Sequence, residues 1–172
     1  MKKLVLLFCL FGIVSCTNDD GPDFDPQAQL IADLAAIEAH LANNNLQAEQ
    51  DNETGLYFNI TRPGSGANPL SGDIVTLNYK LYDFDGELLD TNLEQAARAG
   101  DIYVEGRQYE PFEVTIGTGQ VIVGFERALT ILVEDSEGIF YIPSVLAYGN
   151  AGAGPIAPNQ SIIFEIELLT VE

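Results

Sequence analysis

The chain has 172 residues, 47% of them apolar, and carries a formal net charge of −19 from 26 acidic and seven basic side chains. That length and apolar content suit one folded domain with appendages, so the acidity belongs to the surface and does not signal general disorder. It argues against nucleic acid and anionic lipid headgroups as direct partners, since a surface of this sign repels both.

At the N-terminus, Lys2 and Lys3 precede an apolar run over residues 4–14 that is too short to span a bilayer, so residues 1–15 read as an export signal. Residues 13–16 (IVSC) resemble a bacterial lipobox, in which a small residue precedes the cysteine that receives lipid. Cys16 would then begin the mature chain, with an acyl group holding it to a membrane. The alternative is an ordinary signal peptide that happens to contain a cysteine. Cys9 leaves with the signal, so no disulfide remains, and the mature charge becomes −21. Residues 16–26 combine acids, glycine and proline and read as an acidic tether.

Residues 27–52 read as an N-terminal helix and linker. Leu30, Ile31, Leu34, Ile37 and Leu41 recur at helical spacing over residues 27–46, a stripe that serves equally to pack on its own domain or to form a dimer. From residue 53 to 172 the pattern changes to short strands. Residues 56–60 and 73–82 are strands, and Asp85 and Gly86 make a hairpin turn into residues 87–90. Further strands are expected at 112–116, 138–143 and 161–169, with one short helix at 124–132. The fold class is therefore α+β, a curved antiparallel sheet folded over that helix.

Several chemistries are disfavoured. His40 is the only histidine and falls in the N-terminal helix, where it reads as a solvated residue, which removes a Ser-His-Asp triad or a histidine-based metal site. Residues 117–124 (GTGQVIVG) lack the glycine spacing of a nucleotide loop and read as turn and helix-entry positions. Residues 83–87 (DFDGE) only faintly suggest a calcium loop, because the remaining ligand spacing is missing. No metal and no cofactor is expected. The segment 146–161 (LAYGNAGAGPIAPNQS) carries no charge, as suits a lip that a peptide backbone approaches closely.

Five segments in order, 75–79 (VTLNY), the turn before 88–90 (LLD), 117–126 (GTGQVIVGFE), 142–149 (IPSVLAYG) and 156–168 (IAPNQSIIFEIEL), together resemble the FKBP-type peptidyl-prolyl cis/trans isomerases. The likeness covers roughly residues 53–171 and suggests an exported, lipoprotein form of a Bacteroidetes-like, Gram-negative bacterium. The resemblance implies an FKBP-like five-stranded sheet around a short helix, and an apolar cleft for a prolyl ring. It places Tyr79, Asp90 and Tyr148 in catalytic roles and Leu89, Phe112, Val121, Ile122, Phe125, Ile156 and Phe164 in the cleft wall. Phe125 stands where the family has tryptophan, which implies a roomier pocket. Residues 92–111 exceed the family's usual link after the aspartate and are expected to cover the cleft or extend it. Two arginines, Arg98 and Arg107, are candidates for the family's partner of that aspartate.

The implied function is rotamase activity on Xaa-Pro bonds of exported or envelope proteins, assisting their folding from an outer-membrane or cell-surface lipid anchor. The alternative from another class is a non-catalytic module or chaperone that only binds proline-containing segments. A structural surface lipoprotein with a vestigial cleft is a third reading.

Overall fold

The computed structural model describes residues 24–172. The expected signal segment, Cys16 and most of the tether lie outside the described residues.

Helix α1 (Pro26–Asn43) starts where its sequence dictates. Asp25 accepts hydrogen bonds from the backbone N–H groups of Gln27 and Ala28, and Pro26 occupies the first turn. The helix stops three residues before the end of the expected span. Asn44 donates from its side-chain amide to the His40 carbonyl at 2.8 Å, and Asn45 takes a left-handed φ of 53°.

Seven antiparallel strands follow: β1 (Glu49–Gln50), β2 (Tyr57–Arg62), β3 (Ile74–Tyr82), β4 (Leu88–Thr91), β5 (Phe112–Thr115), β6 (Glu137–Ile142) and β7 (Ile162–Val171). They order as β1-β2-β6-β7-β3-β4, with β5 also on β3. Strands β4 and β5 share one edge of β3, β5 facing Ile74–Leu77 and β4 facing Lys80–Tyr82. The sheet is thus five positions wide apart from the two-residue β1, as the family resemblance implies. Helix α3 (Val123–Ile131) lies in the concave face, where Phe125, Ala128 and Leu129 meet Val75, Leu77, Phe140, Ile142, Ile162, Ile166 and Leu168. Gly124 permits this approach, since a Cβ there would stand 2.3 Å from Ile142 Cγ2.

One helix was expected in the strand-rich region and the structure adds two short ones. Helix α2 (Glu94–Ala99) forms inside the 92–111 segment, and a 3-10 turn (Ser144–Leu146) follows β6. Both are too short for a periodic apolar stripe to announce them.

The stripe of α1 is used within the chain. Ile37 and Leu41 are buried, and with Leu34 they cover Tyr57, Ile139, Tyr141 and Ile163 on the convex face of the sheet. Ile31 points away and is 63% exposed. His40 departs from its expected solvated state because the helix lies on the sheet. It is half-buried, with its ring centroid 4.6 Å from that of Phe84 and 5.8 Å from that of Tyr141.

A buried ion pair ties the linker after α1 to α3. Asp51, 8% exposed, receives Arg127 Nε at 2.9 Å and Nη2 at 2.8 Å, and the Thr54 hydroxyl at 2.6 Å. The Arg127 hydrogen bond, outweighing the opposing effect of burial, lowers the Asp51 carboxyl from 3.8 to about 2. A depressed carboxyl contributes stability above its unfolded value and loses it as pH falls through the folded one. Asp51→Asn is therefore expected to lower unfolding free energy by about 2 kcal/mol at pH 7. In urea melts, the gap between the two proteins should close as pH falls from about 4 towards 2.

Candidate active site

The site begins at a break in the edge of β3. Between Leu77, the last residue facing β5, and Lys80, the first facing β4, no strand among the described residues covers the edge. Side chains fill the gap. The Asn92 side-chain oxygen accepts the Tyr79 backbone N–H at 2.8 Å, and the Thr91 hydroxyl donates to the Tyr79 carbonyl at 2.6 Å. Asn92 also donates to the carbonyls of Leu77 and Glu110, at 3.2 and 3.0 Å. Both residues are buried, so these bonds satisfy groups that water does not reach.

With its backbone fixed, Tyr79 projects into the concave face by the alternation of a strand. Its hydroxyl donates to Asp90 Oδ2 at 2.7 Å, while Arg107 Nη1 donates to Asp90 Oδ1 at 2.7 Å and Nη2 lies 3.5 Å from the Tyr79 hydroxyl. Of the two candidate arginines, Arg107 is the one beside the aspartate. Arg98 instead pairs with Glu94 within α2 and stacks on the Tyr103 ring at 3.5 Å.

Four aromatic rings wall the cleft at steep angles to one another. Tyr79 has its centroid 5.9 Å from Phe112, 6.2 Å from Phe125 and 6.0 Å from Phe164, and Phe125 and Phe164 are 4.7 Å apart. Edge-to-face packing of this kind holds rings rigidly and leaves apolar faces towards a ligand. The cleft has a volume of about 430 Å³ and is lined by Tyr79, Leu81, Asp90, Phe112, Gln120, Val121, Ile122, Phe125, Tyr148 and Phe164. That is enough for a prolyl ring and its flanking peptide units. A larger polar groove of about 700 Å³ adjoins it, sharing Tyr79 and Phe112 and formed largely by Arg107, Gln108, Glu110 and Pro111. The long segment therefore borders the cleft and does not cover it. A third concavity of about 300 Å³ lies on the opposite face of the sheet, among Lys80, Glu137, Glu165 and Glu167. Size alone would not choose among the three; the convergence of apolar rings with polar tips does.

Eight of the ten residues expected at the site line this cleft. The other two do not. Leu89 packs at the margin of the core, and Ile156, 6% exposed, is buried beneath the uncharged loop and bridged to Ala153. That loop folds on itself more tightly than a simple lip. Gly152 has φ 66°, and a Cβ there would come within 2.5 Å of the Ile156 carbonyl. Of its residues only Tyr148 reaches the cleft. Sequence reasoning missed Leu81 and Gln120 in the wall and Asn92 behind it. Leu81 shares the inward parity of Tyr79 on one strand, which was a usable signal.

Burial first, and then the hydrogen bond and charge of Asp90, raise the Tyr79 phenol well above its ordinary value. Burial and the charge of Asp90 also raise Tyr148. Both hydroxyls thus remain protonated donors through neutral and mildly alkaline pH. In an ultraviolet phenolate titration, Tyr79→Phe is expected to remove a group that ionises well above 10.0. Loss of a group titrating at 10.0 would mean that Tyr79 is not held by Asp90.

The sequence profile of FKBP-type peptidyl-prolyl cis-trans isomerases matches residues 66–169. The chain is 30% identical over 131 residues to the FKBP-type peptidyl-prolyl cis-trans isomerase FkpA of Aeromonas hydrophila, a match spanning 76% of this chain and 43% of that protein. It is 33% identical over 121 residues to FK506-binding protein 1 of Saccharomyces cerevisiae, spanning 69% of this chain and 95% of that one. The crystal structure of FkpA from Escherichia coli superposes with a TM-score of 0.63 at 27% identity, covering 85% of this chain and 64% of that chain. The chain spans less than half of the Aeromonas relative. With the profile covering most of the chain and the yeast relative matched almost end to end, the chain belongs to the FKBP-type peptidyl-prolyl cis-trans isomerases.

Proposed function

We propose that this chain catalyses cis/trans isomerisation of Xaa-Pro bonds in exported polypeptides. The observation that carries the reading is the convergence of Tyr79, Asp90 and Tyr148 on a cleft otherwise lined mainly by apolar side chains. Rotation about a prolyl amide requires loss of its resonance, against a barrier of ~18–20 kcal/mol, and the twisted amide is less dipolar than the planar one. A dry cleft therefore favours the twisted form. Phe112, Val121, Ile122, Phe125 and Phe164 grip the prolyl ring and exclude water, which binds the transition state better than the ground state. Tyr148 donates to a substrate carbonyl, and the Asp90 carboxylate, oriented by Tyr79 and Arg107, lies beside the rotating bond. No bond is made or broken, so no nucleophile is needed.

The binding-module alternative uses the same cleft without turnover, and two substitutions separate it. Phe125→Ala should reduce binding and turnover together and cost about 3–5 kcal/mol of stability, since the ring is 3% exposed and packs on Phe164. Asp90→Asn keeps the side chain's size and should reduce turnover more than binding of a short Leu-Pro-Phe peptide. Peptide binding by the unmutated protein without measurable isomerisation would establish the binding module instead.

The membrane-anchored reading rests on the sequence before residue 24. A lipid on Cys16 contributes ~0.8 kcal/mol per buried CH₂, and the acidic body adds no attraction of its own to anionic headgroups. Membrane fractionation should find the unmutated protein with membranes and Cys16→Ser in the soluble fraction; membrane retention of that variant after signal cleavage would remove the lipid anchor. Association of two copies through α1 would draw on Ile31, 63% exposed, and the partly buried Leu30, because Leu34, Ile37 and Leu41 are taken up within the chain.

A further inference from the structure

Asp33 is a carboxylate that nothing in the proposed chemistry uses. It sits on α1, is 3% exposed, and has both oxygens engaged. Oδ1 accepts from the Gln29 side-chain amide at 2.8 Å, one turn earlier. Oδ2 accepts from the Ser144 hydroxyl at 2.7 Å and the Val145 backbone N–H at 3.3 Å. Ser144, fully buried, opens the 3-10 turn that leads to Tyr148. Its carbonyl accepts the N–H groups of Ala147 at 2.9 Å and Gly149 at 2.8 Å, the two residues on either side of Tyr148. One residue thus holds both neighbours of the cleft tyrosine through its backbone and is itself held through its side chain by the N-terminal helix.

A buried carboxylate is costly to desolvate, and an apolar contact would dock α1 at lower cost. What a charged acceptor adds is a short, directional hold on a turn otherwise restrained by its own backbone hydrogen bonds and by packing of Leu146 and Ala147 on the core. We infer that Asp33 is a positioning residue for Tyr148: through Ser144 it fixes where the tyrosine hydroxyl meets the substrate carbonyl, so that the N-terminal helix forms part of the catalytic apparatus. This rests on the proposed role of Tyr148 as donor. Ile37 and Leu41 dock α1 independently of Asp33, so removal of the carboxylate frees the turn without detaching the helix.

The test is a double-mutant cycle on the full chain, with kcat/KM read on a proline peptide and folding checked by thermal unfolding. Asp33→Ala and Ser144→Ala should each lower kcat/KM about tenfold when Tyr148 is present and cause no further loss in Tyr148→Phe. Asp33→Asn, which keeps an acceptor oxygen, should retain most of the activity. Amide hydrogen exchange at Val145, Ala147 and Gly149 should quicken in Asp33→Ala while that of β7 is unchanged. Equal losses in the two backgrounds, or none, would overturn the inference, because general loosening does not depend on the tyrosine hydroxyl. Should one variant fold poorly, the other tests the same link from the opposite side. An active protein indifferent to Tyr148→Phe would overturn the donor role and with it the positioning role, and an inactive unmutated protein would place the failure in the proposed activity itself.

Discussion

The site depends on one constraint: the edge of β3 has to open at Tyr79 without leaving its backbone groups unpaired. A strand continued across the gap would satisfy the backbone but remove the side chains that reach the cleft. The three consecutive residues Asp90, Thr91 and Asn92 solve this together. Asn92 and Thr91 take the Tyr79 N–H and carbonyl, and Asp90 takes its hydroxyl. Asn92 also binds the Glu110 carbonyl, at the far end of the long segment. Pinned at both ends, that segment can lengthen at small entropic cost, since closure free energy grows only slowly with loop length. Its extra residues build α2 and a stack of Tyr103 on Tyr109, with ring centroids 5.5 Å apart, and return Arg107 to the aspartate.

The distribution of charge follows from the same economy. All five basic residues among the described ones are paired with carboxylates: Arg62, Lys80, Arg98, Arg107 and Arg127. The pairs of Arg62, Lys80 and Arg98 are substantially exposed and add little stability, and that of Arg107 is as exposed as that of Lys80. The other two hold geometry, Arg127 fixing α3 to the linker and Arg107 fixing the cleft aspartate. Apart from the buried Asp33, the remaining described acids are at least partly exposed to water.

The strand pattern made most of the fold legible, because residues such as Ile162, Phe164, Ile166 and Leu168 alternate cleanly and only one register buries them. The ordered family motifs pointed to Tyr79, Asp90, Tyr148 and Phe164 for the cleft. What stayed hidden was held by contacts between distant positions. Nothing in the spacing of Arg98 and Arg107 says which one turns back to Asp90; that depends on how the intervening segment folds. Ile156 read as a wall residue because its motif fits, yet the bridge to Ala153 draws it under the loop. The fate of the α1 stripe was open for a similar reason. An apolar stripe specifies burial but not its partner, and the deciding features were a bare patch around Tyr57 and Tyr141 on the convex face and a serine 111 positions away from Asp33.

How a surface this acidic coexists with a largely apolar cleft follows from the Asp90 network. Alone, a carboxylate at the cleft rim would draw water in and carry its field across the apolar floor. Bonded to Arg107 on one oxygen and Tyr79 on the other, it presents a local dipole, whose influence declines with distance faster than that of a charge. Only a group seated in the cleft lies close enough to feel it. The surrounding acids are further away and screened by solvent and salt, so their field is felt outside the cleft and little within it. The apolar walls keep the local dielectric low, so a hydrogen bond made inside the cleft is worth more there than in water.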